Sequence, residues 1–348
     1  MSRKHTLVAN VLKWSGIRSV LKRLPLCPGL LVLNYHRIGK EPGYDFDRGA
    51  FVASADQLEQ QIVQLKRQVP IVGPAEALHL LRQPEQMKRF HVLLTFDDGY
   101  LDNYEIVLPV LRAHGCSAIF FVVEQFVGTS AIPWWDEFSY LIRNSPRSSL
   151  KMPQPWNFKL DLGFDREAAI GTVIRCFKSD ENREPELFLE SIREQSEIQV
   201  PSQSRRFMDW SEICALISAG MEIGSHTVSH PILSRLTEEE QLRELGNSKR
   251  EIEERTGTRV RTLAYPVGSR SAFNETSMRL AREAGYEAAF SFFGGINSPA
   301  ECQLANIRRV SPWSSDDPLI FDTEIELLSH CGPMLSKLAD NRSAWRNY

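Results

Sequence analysis

Leu93-Leu94-Thr95-Phe96-Asp97-Asp98-Gly99-Tyr100 closes an apolar run on two adjacent carboxylates. The stretch from His91 to Phe96 has the near-continuous apolar character of a parallel strand covered on both faces, and Gly99 supplies a sharp exit from it. Successive strand side chains point to opposite faces. Asp97 and Asp98 can therefore serve one site only where the strand ends and the backbone turns. Asp-Asp-Gly is also ordinary turn chemistry, with carboxylates that are solvated or cap the next helix.

Outward from this stretch, short apolar strands alternate with helices. Leu30 to His36 reads as a buried strand, followed by a helix over 55–67, a short strand near 70–72 and a helix over 74–81. Asn103 to His114 reads as the helix after the Asp-Asp strand, with Gly115 as its stop, and Ala118 to Val122 as the next strand. From about 129 to 206 the rhythm breaks into Trp134-Trp135, prolines and charged helical stretches, which predicts an inserted helical subdomain. The alternation then resumes with strands at 221–224, 263–265 and 288–292 and helices over 210–219, 238–256 and 275–284. This order predicts an α/β parallel architecture. Three parts are expected: a basic amphipathic helix within 1–28, a main domain over 29–320 carrying the insertion, and a helical tail over 321–348.

Composition narrows the function. The 348 residues are 42% hydrophobic and 24% charged with a net charge of -3, as in an ordinary globular chain, and they offer no basic field for nucleic acid. The six cysteines are scattered without a CxxC pair, against both a disulfide framework and a thiolate zinc site. Met1 to Pro25 lacks the uninterrupted apolar core of a signal peptide, and no apolar run approaches a bilayer span, so a cytoplasmic location is the expectation. Val8, Leu12, Ile17, Val20, Leu21 and Leu24 form an apolar stripe among Lys13, Arg18, Lys22 and Arg23. Such a helix docks on its own domain or lies on an anionic membrane as a peripheral contact.

A second polar cluster follows the strand at 221–224. In Gly224-Ser225-His226-Thr227-Val228-Ser229-His230-Pro231 two imidazoles stand four apart, on one face if the segment makes a helical turn, close enough to grip one cation. Exposed histidine pairs are also common polar surface. Joined to a carboxylate from another strand end, however, they make a His-His-carboxylate set with positions left open for water and substrate.

With both stretches in view, the sequence resembles the polysaccharide deacetylase family of metal-dependent sugar N-acetyl hydrolases. Thr95-Phe96-Asp97-Asp98-Gly99 matches its first motif and Ser225 to Pro231 its second. The resemblance runs from Leu30 to about Trp313, excluding the insertion, and implies a distorted (β/α)7-type barrel with about seven strands. It assigns Asp97 as general base and Asp98, His226 and His230 as ligands of a divalent metal, zinc first and cobalt or nickel as the other ions such a set accepts. Leu263 to Gly268 aligns with the third motif, in which Val267 would give its backbone N–H to the oxyanion and Tyr265 and Pro266 would face substrate. Here the chain departs from the family, because Ala264 stands where many members carry an arginine that pairs with the base, and the segment looks like the FAYP-type subgroup. Arg309 is the candidate replacement.

For the general acid, Leu33 to Ile38 resembles the N-terminal YH strand of the poly-N-acetylglucosamine deacetylase branch, which favours His36 over His330. His36 also falls at a strand end, where barrel chemistry collects, whereas His330 follows a helical stretch. Trp134, Trp135 and Asp136 are candidate sugar contacts, or anchors of the insertion. The implied activity is metal-dependent removal of N-acetyl groups from an N-acetylhexosamine glycan or glycolipid, including surface polysaccharide precursors. An amidohydrolase of the same fold acting on a non-sugar amide, and an inactive carbohydrate-binding relative, are the two rivals.

Overall fold

The computed structural model describes residues 23–40, 43–179, 182, 184–202, 205–313, 315 and 317–341. The expected helix within 1–28 therefore lies almost wholly outside the described residues. In chain order the elements are β1 (Gly29–Tyr35), β2 (Arg37–Ile38), β3 (Phe51–Ala53), α1 (Ala55–Gln68), α2 (Pro74–Arg82), β4 (Phe90–Phe96), α3 (Leu108–Ala113), β5 (Ala118–Val122), α4 (Trp134–Asn144), β6 (Ser149–Met152), β7 (Phe158–Asp161), α5 (Arg166–Lys178), α6 (Pro185–Ser196), α7 (Trp210–Ser218), β8 (Glu222–Ser225), α8 (Glu238–Thr256), β9 (Thr262–Ala264), α9 (Glu275–Glu283), β10 (Ala288–Phe290) and α10 (Pro318–Asn341). Helices α1, α7, α8 and α9 start on side-chain caps from Ser54, Asp209, Thr237 and Asn274, each part of a reciprocal capping box.

The described residues divide into two compact units, one within 23–39, 51–129 and 206–341, the other within 40–50 and 130–205. In the first, six parallel strands pair in the order β1-β4-β5-β8-β9-β10. The segment 307–310 bridges both edges, Ile307 pairing with Phe290 and Val310 with Leu33, and so supplies a seventh strand position in a distorted α/β barrel. β1 and β5 are buried along their whole length, which is why their residues run apolar without alternation. Rings of β1, β4 and β5 stack across the sheet, Tyr35 on Phe96 at 5.2 Å and Phe96 on Phe120 at 5.0 Å.

Several expectations are corrected. The strand near 70–72 is a single bridge of Ile71 to Val92. The helix read from 103 opens as a π-turn over Asn103–Val107 before α3. The helix expected from 321 is present as α10, and over its described residues it is packed into the main unit, because Phe321, Ile325 and Leu328 belong to the core that the barrel strands build. The second unit has its own core around Phe138, Val173 and Phe188, and it also contains an antiparallel hairpin, β6–β7, that the charged sequence conceals.

Gly224 in β8 shows how tightly the barrel wall is built next to the histidines. A Cβ there would fall 2.4 Å from Phe121 Cδ1 and 2.7 Å from Thr262 Oγ1. Both neighbours are core groups with little room to retreat, so Gly224→Ala is expected to lower unfolding free energy by about 1–3 kcal/mol. A urea midpoint equal to that of the unaltered protein would contradict this packing.

Candidate active site

The two carboxylates sit where β4 ends. Asp98 (φ 71°) and Gly99 (φ 75°) are consecutive left-handed residues, a conformation that lets the chain reverse directly after the strand. Asp97 and Asp98 are both buried. Asp97 N–H still donates to Tyr35 O at 2.9 Å, so Asp97 lies level with the end of β1.

Arg309, from the segment that closes the barrel, meets Asp97 as a bidentate pair, with Nη1 2.7 Å from Oδ1 and Nη2 2.9 Å from Oδ2. Its Nε donates to Ser291 O at 3.1 Å and its Nη1 to Asn34 Oδ1 at 3.0 Å, and the side chain is 1% exposed. Asn34 completes the bracket by donating Nδ2 to Asp97 Oδ2 at 3.2 Å. Burial by itself would raise the Asp97 carboxyl. The charges of Arg309, His226 and His36 and the Arg309 hydrogen bonds outweigh it and hold the group down at about 2.

Three donors converge beside this pair. Asp98 Oδ1 lies 3.5 Å from His226 Nε2 and 3.7 Å from His230 Nε2, and one ligand atom of each residue falls within 4.8 Å of the others. Ligands about 2.0–2.2 Å from a tetrahedral zinc ion stand about 3.3–3.6 Å apart, so this donor set fits a divalent ion. His226 Nδ1 is 2.7 Å from Ala264 O, a group that only accepts, so Nδ1 carries the proton and Nε2 presents its lone pair. Burial foremost pushes the His226 imidazole below its ordinary value, with Arg309 adding to it and Asp97 and the Ala264 carbonyl opposing. Ala264 thus meets the site through its backbone carbonyl.

The histidines do not lie on a helical turn, as their spacing had suggested. Thr227 (φ 69°) and His230 (φ 60°) are both left-handed, and the two rings meet edge to face at 4.8 Å. Such a backbone is unusual for a β-branched threonine and persists only when surrounding contacts over-determine it. Thr227 meets that condition: its N–H donates to Ser225 Oγ, its Oγ1 accepts from His230 N, and its carbonyl accepts from Glu124 N.

His36 stands between β1 and β2, half-buried, and its charge reaches Asp97. The segment is held by residues that sequence inspection passed over: Asn103 Nδ2 donates to His36 O, while Asp102 accepts from Ile38 N and Arg37 Nε. His330 Nδ1 is 3.3 Å from Pro25 O, ahead of the N-terminal end of β1 and so at the opposite end of that strand from Asp97. Val267 (φ 61°) is the centre of a γ-turn closed by Gly268 N–H to Pro266 O at 2.6 Å. Its own N–H donates to no protein acceptor among the described residues.

The expectation of a sugar-facing Tyr265 is corrected. Its hydroxyl donates to Ala305 O at 3.0 Å and its ring stacks on Phe273 at 4.0 Å, so the side chain supports the turn from the core, with Pro266 buried beside it. Trp135 and Asp136 belong to the second unit. There Trp135 is buried against Trp134, and Asp136, 1% exposed, accepts from Asp47 N at 2.9 Å on Oδ1.

Residues 85–289 match the family model described as polysaccharide deacetylase. A Bacillus subtilis (strain 168) relative, YxkH, classed by name with the polysaccharide deacetylases, is 23% identical over 287 residues, covering 82% of this chain and 73% of its own. The Streptococcus pyogenes deacetylase PplD, solved in complex with acetate, superposes with a TM-score of 0.55 at 18% identity over 83% of this chain and 95% of its own. IcaB from Ammonifex degensii gives 0.55 at 20% identity over 91% and 99%. His36 and Arg309 fall outside the matched span, whereas Asp97, Asp98, His226, His230 and Val267 fall inside it. With more than half its length in that match, the chain belongs to the polysaccharide deacetylase family and is a hydrolase that removes acetyl groups from sugars.

Proposed function

We propose that the protein hydrolyses the N-acetyl group of an N-acetylhexosamine unit in a glycan or glycolipid, with Asp97 as general base and His36 as general acid. The observation that carries this reading is the juxtaposition of the Arg309-paired Asp97 with the Asp98, His226 and His230 donor set. Those three residues would hold a divalent ion, zinc first, which when bound supplies Lewis-acid polarisation of the acetamide carbonyl and acidification of water.

Asp97, kept ionised by Arg309, takes the proton from water as the new C–O bond forms at the acetyl carbon. Negative charge then collects on the former carbonyl oxygen, which the Val267 N–H is free to meet. Protonated His36 gives its proton to the amine nitrogen as the C–N bond breaks, leaving acetate and a free amino sugar. Asn34 and Arg309 fix the orientation of the base throughout, and Asn103 and Asp102 fix the segment that carries the acid.

The test is acetate release from a panel of N-acetylglucosamine oligomers by zinc-loaded protein, beside the same protein stripped with a chelator. Release that falls to background on stripping and returns with zinc is the expected result. A protein that binds zinc but frees no acetate from any sugar would move the reading to a non-sugar amide.

A further inference from the structure

We infer that Glu244, on α8, is a positioning residue that sets both histidines by gripping the loop between them. The inference rests on the reading of Asp98, His226 and His230 as metal ligands. Its carboxylate takes three hydrogen bonds from two consecutive loop residues: Val228 N at 2.8 Å and Ser229 N at 2.9 Å on Oε2, and Ser229 Oγ at 2.7 Å on Oε1. Two neighbouring amides aimed at one carboxylate oxygen form an anion-binding nest, here filled by the protein's own side chain. One helical turn further on, Ser248 Oγ lies 2.6 Å from Ser225 Oγ, the atom that accepts Thr227 N–H. A single face of α8 therefore holds the loop at its entry and at its middle.

The loop has a reason to need such a grip. Its two left-handed residues, Thr227 and His230, are not glycines, so the chain left to itself would relax toward ordinary φ and swing the imidazoles. Val228 and Ser229 lie between those two residues, and fixing their amides fixes where His226 and His230 can point. Groups that orient metal ligands from behind alter metal affinity by about 10–100-fold when removed. Nothing in the amino-acid order distinguishes Glu244 from the other glutamates of this charged helix, which explains why it escapes a sequence reading.

The experiment uses the full chain, stripped of metal, with Zn²⁺ affinity measured by equilibrium dialysis and Co²⁺ coordination by its visible absorption. Glu244→Ala is expected to weaken Zn²⁺ binding by about 10–100-fold and to change the Co²⁺ spectrum, while the melting temperature of the metal-free protein shows that the variant is folded. Glu244→Gln keeps an acceptor oxygen for the two amides and should recover part of the affinity, a rescue that a general loss of helix stability would not produce. Glu239→Ala, at the exposed start of the same helix, should bind as the unaltered protein does. Wild-type affinity and spectrum in Glu244→Ala, with binding lost in His226→Ala and His230→Ala, would overturn the inference alone. Binding that survives in the two histidine variants would overturn it together with the metal site itself.

Discussion

Asp97→Asn is expected to retain bound metal and to lose acetate release by about 10²–10⁴-fold. Asparagine keeps the shape and one acceptor oxygen of the side chain, so Asn34 and Arg309 still have an atom to bond. An amide cannot take a proton from water at neutral pH. The substitution leaves Asp98, His226 and His230 untouched, and metal content measured beside the rate therefore separates lost base chemistry from a lost site. The variant should also unfold more easily, because Arg309 is left buried against a neutral group. Near-normal acetate release from metal-loaded Asp97→Asn would remove Asp97 from the proton transfer, and the assignment of the adjacent carboxylates would have to be exchanged.

The parts of this site that a sequence can disclose are those fixed by short-range pattern. An apolar run cut off by Asp97-Asp98-Gly99 and a second strand ending just before His226 place their polar groups at strand ends, and parallel strands bring such ends to one face of a barrel. A glycine stop is legible in the same way, as at Gly115, which is left-handed just past the end of α3. What pattern does not disclose is conformation imposed by tertiary contact. The spacing of His226 and His230 suits a helical turn, yet hydrogen bonds to Ser225 Oγ and the Glu244 carboxylate, and one from Glu124 N, hold a left-handed loop. The same limit applies to Asn34, which the register of β1 on β4 sets beside Asp97, and to Asp102 and Asn103, ordinary polar residues until the turn after β4 brings them to the backbone of residues 36–38. Arg309 could be reached only through the gap left by Ala264. A buried carboxylate in need of a cation, and a barrel that needs closing between β10 and β1, are met by the one segment.

Arg309→Leu should have the largest effect on stability, and the sign of its pH dependence is diagnostic. In the unaltered protein Asp97 sits at about 2, below its ordinary 3.8, so the pair's stabilisation is complete above about 4 and is lost as pH falls toward about 2. That shift is linked to about 2 kcal/mol. Burial is already the largest single influence on Asp97, and without the guanidinium to oppose it the carboxyl is expected to rise above its ordinary value. The carboxylate then opposes folding at neutral pH, and stability is regained as acid protonates it. Breaking one partner out of a buried ion pair costs about 3–5 kcal/mol. The gap between the two proteins at pH 7 should be of that size, and should narrow as pH falls from 7 to 4. Urea unfolding of chelator-treated samples across that range measures it. Activity should follow the same logic, with the acidic limb of the variant's rate profile displaced to higher pH as Asp97 becomes harder to ionise. Parallel stability curves, or an acidic limb that stays in place, would mean that Arg309 supports the barrel's closure without governing the charge of Asp97.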